Sequence, residues 1–334
     1  MFRRRPPIAP AAPATPRPPV MPIRFLDEEP PVAPSPAPKP APTPEVAAPR
    51  PARPRREFPI GVVAFLGVVG TGLYLAGASP FHRVEAVDKL VKSFDVPITP
   101  KVIVETFNGP IRVERGVGSK VDVEVVKTAN GADNAAAQAA LAGIDVQITR
   151  DGDTVRVVAR RPAGASSSLW NLGTSVSLRV PAATAATLQT GNGEVKVEGV
   201  EGPIKAHSSN GAINLKGGTG PLDLRTSNGR VSCEATDAVV AAETSNGAIE
   251  FRGSLAAGGS TFETSNGAVR IKLPSDAAFA LDAKTSNGKV DAADFGLRPG
   301  KGPRSKHLVA TVGDDPKVRL KIRTSNGAVK VEED

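Results

Sequence analysis

Apolar and polar positions alternate on both sides of an Asn-Gly pair that recurs along the C-terminal part of the chain. Apolar or small residues stand four positions before each Asn, and three and five positions after it. Such alternation is typical of strands with one buried face. Each copy therefore predicts two short strands that meet at the Asn-Gly pair. The residues predicted to form these corners, in a structural role, are Asn192, Gly193, Asn210, Gly211, Asn228, Gly229, Asn246, Gly247, Asn266, Gly267, Asn287, Gly288, Asn326 and Gly327.

Six of these copies extend to Thr-Ser-Asn-Gly or Ser-Ser-Asn-Gly, and successive Asn residues lie 18, 18, 18, 20, 21 and 39 positions apart. A fixed period of this kind indicates repeat architecture. A flat meander of hairpins is the alternative, because Asn-Gly also favours tight turns with positive φ. Such a meander would need a second layer over its apolar face, and no segment of the sequence offers one.

We therefore expect an all-β fold: a single-stranded β-solenoid (β-helix) with rungs of about 18–21 residues, spanning 188–334. Stacked corners would place Thr, Ser and Asn in columns that hydrogen-bond along the stack. The last gap of 39 residues predicts one degenerate rung within it.

A small α+β cap is expected at 101–187, because an uncovered terminal rung exposes unpaired strand edges. The elements predicted there are a strand over 121–125, a helix over 134–142 and a hairpin over 144–159 that turns at Asp151-Gly152-Asp153. Residues 102–113 repeat the rung pattern once, so an early strand pair is expected to start the same stack. The irregular part over 294–315 is expected to cap the other end.

Residues 58–81 carry no charge and are long enough to cross a membrane as one helix. The four arginines at Arg50, Arg53, Arg55 and Arg56 precede this run, which predicts a cytoplasmic N-terminus and an extracytoplasmic C-terminal domain. Residues 1–57 hold 19 of the 32 prolines and are expected to form a disordered, Pro-rich tail. Residues 82–100 are predicted to be a juxtamembrane amphipathic helix and linker.

The charge of +8 comes mostly from the tail, since residues from His82 onward hold 32 basic and 29 acidic side chains. A nucleic-acid partner is therefore not expected. The single cysteine, Cys233, excludes a disulfide framework and is expected to be an inert core thiol.

No constellation of residues predicts catalysis. His82, His207 and His307 are isolated in sequence, and no metal-binding, nucleophile or nucleotide motif is present, so no catalytic residue, metal or cofactor is predicted. Solvated carboxylates are the expected role of Asp291 with Asp294 and of Asp314 with Asp315, although a cation remains the alternative. Asp294-Phe295-Gly296 is read as a coincidental match to a kinase tripeptide. Trp170 is expected to pack in a loop, with aromatic stacking on a ligand as the alternative.

The run Leu178-Arg179-Val180-Pro181, the segment Leu188 to Val195 and the Thr-Ser-Asn-Gly rungs resemble the bacterial putative-adhesin domain family. The resemblance covers roughly 102–331. It implies a β-solenoid and a role at the cell surface, without a specified receptor or any catalytic residue.

These observations favour a membrane-anchored, extracytoplasmic and non-enzymatic protein that acts as an adhesin or envelope scaffold. Its expected partners are the membrane, an envelope polymer, glycan or other surface ligand, and a cytoplasmic protein that docks on the Pro-rich tail. An envelope-stress or signalling component that couples the ectodomain to the tail is the alternative. A polysaccharide-active β-helix enzyme is a further alternative, but it needs a groove of clustered carboxylates that the sequence does not reveal.

Overall fold

The computed structural model describes residues 83–161, 172–298 and 306–334. The predicted tail, the predicted span over 58–81 and Trp170 lie outside these ranges. In the described ranges, no helix has the length and apolar character needed to span a bilayer.

The described chain is rich in strands and contains one α-helix, α1 (Asn134–Ala142), and one 3-10 helix (Ala293–Phe295). The strands before the first repeat are β1 (Val84–Asp95), β2 (Lys101–Thr106), β3 (Ile111–Arg115), β4 (Lys120–Gly131), β5 (Asp145–Asp151), β6 (Thr154–Arg160) and β7 (Leu172–Val180). The remaining strands are β8 (Ala185–Thr190), β9 (Val195–Glu198), β10 (Ile204–Ser208), β11 (Ile213–Thr226), β12 (Val231–Thr244), β13 (Ile249–Leu255), β14 (Gly258–Thr264), β15 (Val269–Leu273), β16 (Phe279–Thr285), β17 (Val290–Asp291), β18 (His307–Val312), β19 (Val318–Thr324) and β20 (Val329–Glu333).

Each rung gives one strand to each of two columns. The first column, before the corners, runs in the order β5, β6, β2, β8, β10, β11, β12, β14, β19, β16, β18. The second column, after the corners, runs in the order β1, β4, β7, β3, β9, β11, β12, β13, β15, β20, β17. β11 and β12 are long enough to belong to both columns, since residues 213–216 of β11 lie in the second column and 222–226 in the first.

Neighbouring rungs pair in parallel and in register, with Thr190, Ser208 and Thr226 as aligned partners. The two strands that flank a corner pair with other rungs: β8 pairs with β2 and β10, whereas β9 pairs with β3 and β11. The Asn-Gly pairs are therefore the corners of a solenoid-like, all-β stack, and the meander of hairpins is excluded.

The order of the rungs departs from the order of the sequence at the C-terminal end. β19 and β20, which flank Asn326, lie between the rung of Asn266 and the rung of Asn287. The prediction of a degenerate rung within the 39-residue gap is therefore wrong for the part of the gap that is described. The gap instead includes the 3-10 helix and β18, which pairs antiparallel with β16 and covers the end of the first column.

The N-terminal region also differs from the prediction in one element. Residues 84–95 form the strand β1, which pairs antiparallel with β4 along its whole length, and not an amphipathic helix. The apolar residues Val84, Leu90 and Phe94 suit a strand as well as a helix, because even-numbered positions also fall on one face with period two. β2 and β3 pair with β8 and β9, so 101–115 is a rung of the stack inside the region predicted to be a cap.

Helix α1 and the β5–β6 hairpin lie where the sequence predicts them. Asp133 caps α1 by accepting a hydrogen bond from the Ala136 amide at 2.7 Å. The β4 strand contains the predicted strand over 121–125.

The core lies between the two columns and consists of the inward side chains of both. Phe251 and Phe262 meet there with ring centroids 5.5 Å apart, and Cys233 aligns with Leu215 and Phe251 in neighbouring rungs. Each fully buried aliphatic or aromatic side chain contributes about 1.5–3 kcal/mol relative to exposure. Phe295 packs edge-on against Phe279 at a centroid distance of 5.1 Å, so the Asp-Phe-Gly tripeptide supports packing beside the last rung.

The stacked corners as the candidate functional site

The side chain at the Thr position of each corner points inward and forms a hydrogen bond to the neighbouring rung. Its hydroxyl donates a hydrogen bond of 2.8–2.9 Å to the carbonyl oxygen of the Gly in that rung. The donor and acceptor pairs are Thr190–Gly109, Ser208–Gly193, Thr226–Gly211, Thr244–Gly229, Thr264–Gly247, Thr324–Gly267 and Thr285–Gly327. These hydroxyls satisfy carbonyl groups at the corner while their own side chains are buried.

The Asn side chains form a continuous ladder along the outside of the corners. From Asn210 onward, each Nδ2 donates a hydrogen bond of 2.5–2.9 Å to Oδ1 of the Asn that precedes it in the ladder. The ladder runs in the order Asn192, Asn210, Asn228, Asn246, Asn266, Asn326, Asn287. Asn108, in the rung before Asn192, instead donates to the carbonyl oxygen of Leu172 at 2.6 Å.

The Gly position is required by the close approach of neighbouring rungs. A Cβ at Gly211 would lie 1.7 Å from the carbonyl oxygen of Gly193, and the other six corner glycines from Gly193 to Gly327 give 1.9–2.0 Å. Positive φ, the conformation expected of Asn-Gly in a hairpin, is absent from these corners in the described residues. It occurs at the opposite turns of the rungs, for example at Gly199, Gly217 and Asp237.

The Ser position has no such partner. Within the described part of the chain, the hydroxyls of Ser227, Ser245, Ser265, Ser286 and Ser325 make no hydrogen bond to another protein group, and all five residues are exposed. Thr, Asn and Gly each have a structural reason to recur in the stack. For Ser, the predicted hydrogen bonds along the stack are absent at these five positions of the described chain.

A shallow polar groove of about 390 Å³ runs along four corners beside these hydroxyls. It crosses the rungs of Asn246, Asn266, Asn326 and Asn287. Its lining residues are Glu243, Thr244, Ser245, Glu263, Thr264, Ser265, Lys284, Ser286, Arg323, Thr324 and Ser325. The charged residues among them were not singled out from the sequence, although each stands three positions before a corner Asn and so faces outward.

One cluster beside the groove joins three residues that are distant in sequence. His307 Nε2 lies 2.9 Å from Oδ1 of Asp282, and Arg323 donates Nη1 to the same oxygen at 3.0 Å and Nη2 to Oδ2. Hydrogen bonds from Arg323 lower the pKa of the Asp282 carboxyl, burial opposes this shift, and the contact with His307 adds to it. His307 is isolated in the sequence but not in the fold, because β18 and β19 bring it and Arg323 to Asp282.

The other sequence candidates stay apart. His207 and Asp294 are exposed, and no group of three or more His, Cys, Asp and Glu side chains in the described ranges is placed to hold a metal ion. Asp291, the last residue of β17, is exposed and accepts a hydrogen bond from the Ala293 amide at 3.1 Å. Burial raises the pKa of the Cys233 thiol to about 12, with a smaller effect from Glu234.

Comparisons with known proteins place the C-terminal part of the chain in a family. Residues 172–332 match the family model described as Toastrack DUF4097. Among curated proteins, none matches the chain.

Three solved structures with which the chain aligns show low sequence identity. A putative cell adhesion protein from Clostridium sporogenes is 11% identical, with 74% of this chain and 100% of that chain covered and a TM-score of 0.35. A putative adhesin from Bacteroides fragilis is 9% identical, with 73% and 97% covered and a TM-score of 0.23. A protein named as a putative lipid binding protein, from Parabacteroides distasonis, is also 9% identical, with 73% and 97% covered and a TM-score of 0.23.

The match confirms the family that the corner residues resemble, although it begins at residue 172 and not near Val102. Residues 172–332 of this chain are a Toastrack DUF4097 domain, a domain of unknown function.

Proposed function

We propose that this domain is a non-catalytic, adhesin-like binding module that holds a hydroxyl-rich surface ligand in the groove along its corners. One observation carries the proposal: the Ser hydroxyls of successive corners are exposed and unbonded beside a polar groove. Hydroxyls in a row are suited to the hydroxyl groups of a saccharide, since each can both donate and accept a hydrogen bond.

The spacing of the hydroxyls supports a polymeric ligand. Neighbouring rungs pair as parallel strands, so equivalent Ser positions repeat at about 4.8 Å. The Thr braces and the Asn ladder hold these corners in place, which lowers the entropy lost when a ligand is ordered against them. Weak contacts repeated along one chain then sum to useful affinity.

The two carboxylates of the groove support binding more than catalysis. Lys321 Nζ lies 2.8 Å from Glu263 Oε1, and Arg225 Nη1 lies 3.8 Å from Glu243 Oε2. A glycosidase needs one carboxylic acid that keeps its proton until the glycosidic oxygen takes it. Glutamates that each face a cation are better placed to accept hydrogen bonds from a ligand than to act as that acid.

The location of the domain is part of the same proposal. The uncharged run over 58–81 and the arginines before it support a single membrane anchor with the domain outside the cytoplasm. An alkaline phosphatase fusion after Asp334 would then be active in cells. An inactive fusion, with a cytoplasmic reporter at the same position active, would contradict this orientation.

Binding is tested with the full chain on an array of envelope polysaccharides, peptidoglycan fragments and other glycans. The variant Ser245→Ala/Ser265→Ala/Ser325→Ala is expected to bind its ligand at least about tenfold more weakly, because each lost hydrogen bond contributes about 0.5–1.5 kcal/mol. The control Ser177→Ala/Ser232→Ala/Ser275→Ala, with all three changes outside the groove, is expected to bind as the parent does. Binding to no array member, or equal loss in both variants, would overturn the proposal.

A further inference from the structure

The charges along the groove change sign halfway. The side chains three positions before Asn228, Asn246, Asn266, Asn326 and Asn287 are aligned partners in neighbouring strands, in the spatial order Arg225, Glu243, Glu263, Arg323, Lys284. Glu243 and Glu263 place carboxylates in one half of the groove, although Arg225 and Lys321 face them from outside its lining, whereas Arg323 and Lys284 place cations in the other half. A ligand that lies along the groove therefore meets opposite charges at its two ends.

The basic half contains cations that the protein leaves available. Lys284 is exposed and forms no ion pair within the described residues. Lys306 Nζ donates to the carbonyl oxygen of Ser286 at 2.7 Å, which places a second ammonium group at the outermost corner of the groove. The Asp282 carboxylate contacts Arg323 and His307. It therefore balances the charge of Arg323 and not the charges of Lys284 and Lys306.

Two unbonded hydroxyls, those of Ser286 and Ser325, line the same end of the groove as Lys284. Ammonium groups and hydroxyls that converge on one place provide the charge-assisted and neutral hydrogen bonds that bind a phosphate or carboxylate group. We infer that Lys284, Lys306, Ser286 and Ser325 form an anion subsite at the end of the groove. This inference rests on the proposed function and narrows the ligand to a hydroxyl-bearing chain with an anionic substituent over the outermost rung.

The half of the groove that holds the two carboxylates disfavours a ligand that is anionic along its whole length, even though Lys321 and Arg225 offset part of the charge. Such a chain would bring its charges against Glu243 and Glu263, and like charges brought together at a binding surface oppose association. The groove therefore selects a saccharide with one terminal carboxylate or phosphate over a uniform polyanion.

The inference is tested by titrating the full chain with matched oligosaccharides from the array. For each array backbone, the probes are the neutral form, the form with one terminal uronate and the form with one terminal phosphate monoester, with dextran sulfate as the polyanion. At least one singly anionic form is expected to bind about tenfold more tightly than its neutral form at low salt, with the advantage lost as salt rises. The two anionic arms distinguish a carboxylate ligand from a phosphate ligand.

The variant Lys284→Gln/Lys306→Gln is expected to remove that tenfold advantage while the neutral form binds as before. The control Lys289→Gln/Lys317→Gln changes the charge equally, at exposed lysines near the same end that form no ion pair in the described ranges, and is expected to keep the advantage.

Three outcomes would overturn the anion subsite and leave the proposed function standing. The neutral and anionic forms could bind equally, dextran sulfate could bind more tightly than the singly anionic forms, or the two variants could lose the advantage equally. If no saccharide of any form binds, the proposed function fails with it.

Discussion

The side-chain amide of Asn326 donates a hydrogen bond of 2.8 Å to Oδ1 of Asn266, although 60 positions separate the two residues. Asn287 in turn donates to Oδ1 of Asn326 at 2.8 Å. The final rung of the chain is thus enclosed by two rungs that precede it in sequence. The rung of Asn287 has its parallel neighbours only in β19 and β20 within the described residues.

Deletion of residues 318–334 is therefore expected to disrupt more than the end of the chain. β14, β15, β16 and β17 all lose a parallel neighbour. We expect fast amide hydrogen exchange in these four strands, measured by mass spectrometry, and slow exchange in β8 and β10.

A synthetic peptide of residues 316–334 is expected to restore protection when added to the deleted protein. The same peptide with Gly327→Ala should not, because the new Cβ would lie 1.9 Å from the carbonyl oxygen of Gly267. Protected amides in β16 without any peptide would show that the rung of Asn287 is stable without the inserted rung.

The sequence predicts the rung and the corner but not the order of the last two rungs. Each corner presents the same Thr, Asn and Gly groups, so the pattern allows either Asn326 or Asn287 to follow Asn266 in the ladder. In the structure Asn326 follows Asn266, and Asn287 follows Asn326. The cluster of Asp282, His307 and Arg323 depends on that order, and no local pattern could reveal it. The helix wrongly predicted within 82–100 has a different cause, because a short apolar pattern fits periods of 2 and 3.6 alike.

Substitution at a corner glycine tests the close approach of the rungs. Gly211→Ala places a Cβ 1.7 Å from the carbonyl oxygen of Gly193 and should destabilise the domain by about 3 kcal/mol, because two backbones must move apart. Urea unfolding followed by circular dichroism measures the change. Gly259→Ala is the matched control, since nothing lies within 4 Å of its Cβ position and its φ is not positive, and it should change stability by less than about 0.5 kcal/mol.

The buried hydroxyl of Thr244 is expected to matter for its hydrogen bond and not for its shape. Thr244→Val keeps the branched side chain but removes the 2.9 Å bond to Gly229 O, which should cost about 1–2 kcal/mol in the same assay. Thr261→Val makes the identical change on the outward face of β14, where Thr261 makes no side-chain hydrogen bond within the described residues, and should be nearly neutral. Equal effects in the two variants would mean that the brace does not stabilise the corner.

Cys233 provides a probe of opening, because it is the single cysteine of the chain and is buried. Burial raises the pKa of its thiol to about 12, so at pH 8 the native thiol is protonated as well as inaccessible. Alkylation by iodoacetamide is expected to be slow in buffer and to accelerate with urea in step with unfolding. In the control Cys233→Ala/Ser232→Cys, the thiol faces outward on the same strand and should react with iodoacetamide at once. Rapid alkylation of the parent protein in buffer would instead show that the core opens locally.

The contact between Asp282 and Arg323 predicts a defined dependence of stability on pH. Because Arg323 lowers the pKa of the Asp282 carboxyl in the folded domain, the unfolded chain takes up the proton first as the pH falls. The contribution of this carboxylate is thus complete above its ordinary pKa and is lost as the pH falls through the lowered folded value. Asp282→Asn should reduce the free energy of unfolding at pH 7, by less than about 1 kcal/mol since the pair is partly exposed, and by less still near pH 2. The control is Asp276→Asn, at an exposed carboxylate without an ion pair in the described ranges, and it should change the free energy of unfolding equally at the two pH values. If Asp282→Asn also lowered the free energy of unfolding equally at both pH values, its effect would come from packing and not from charge.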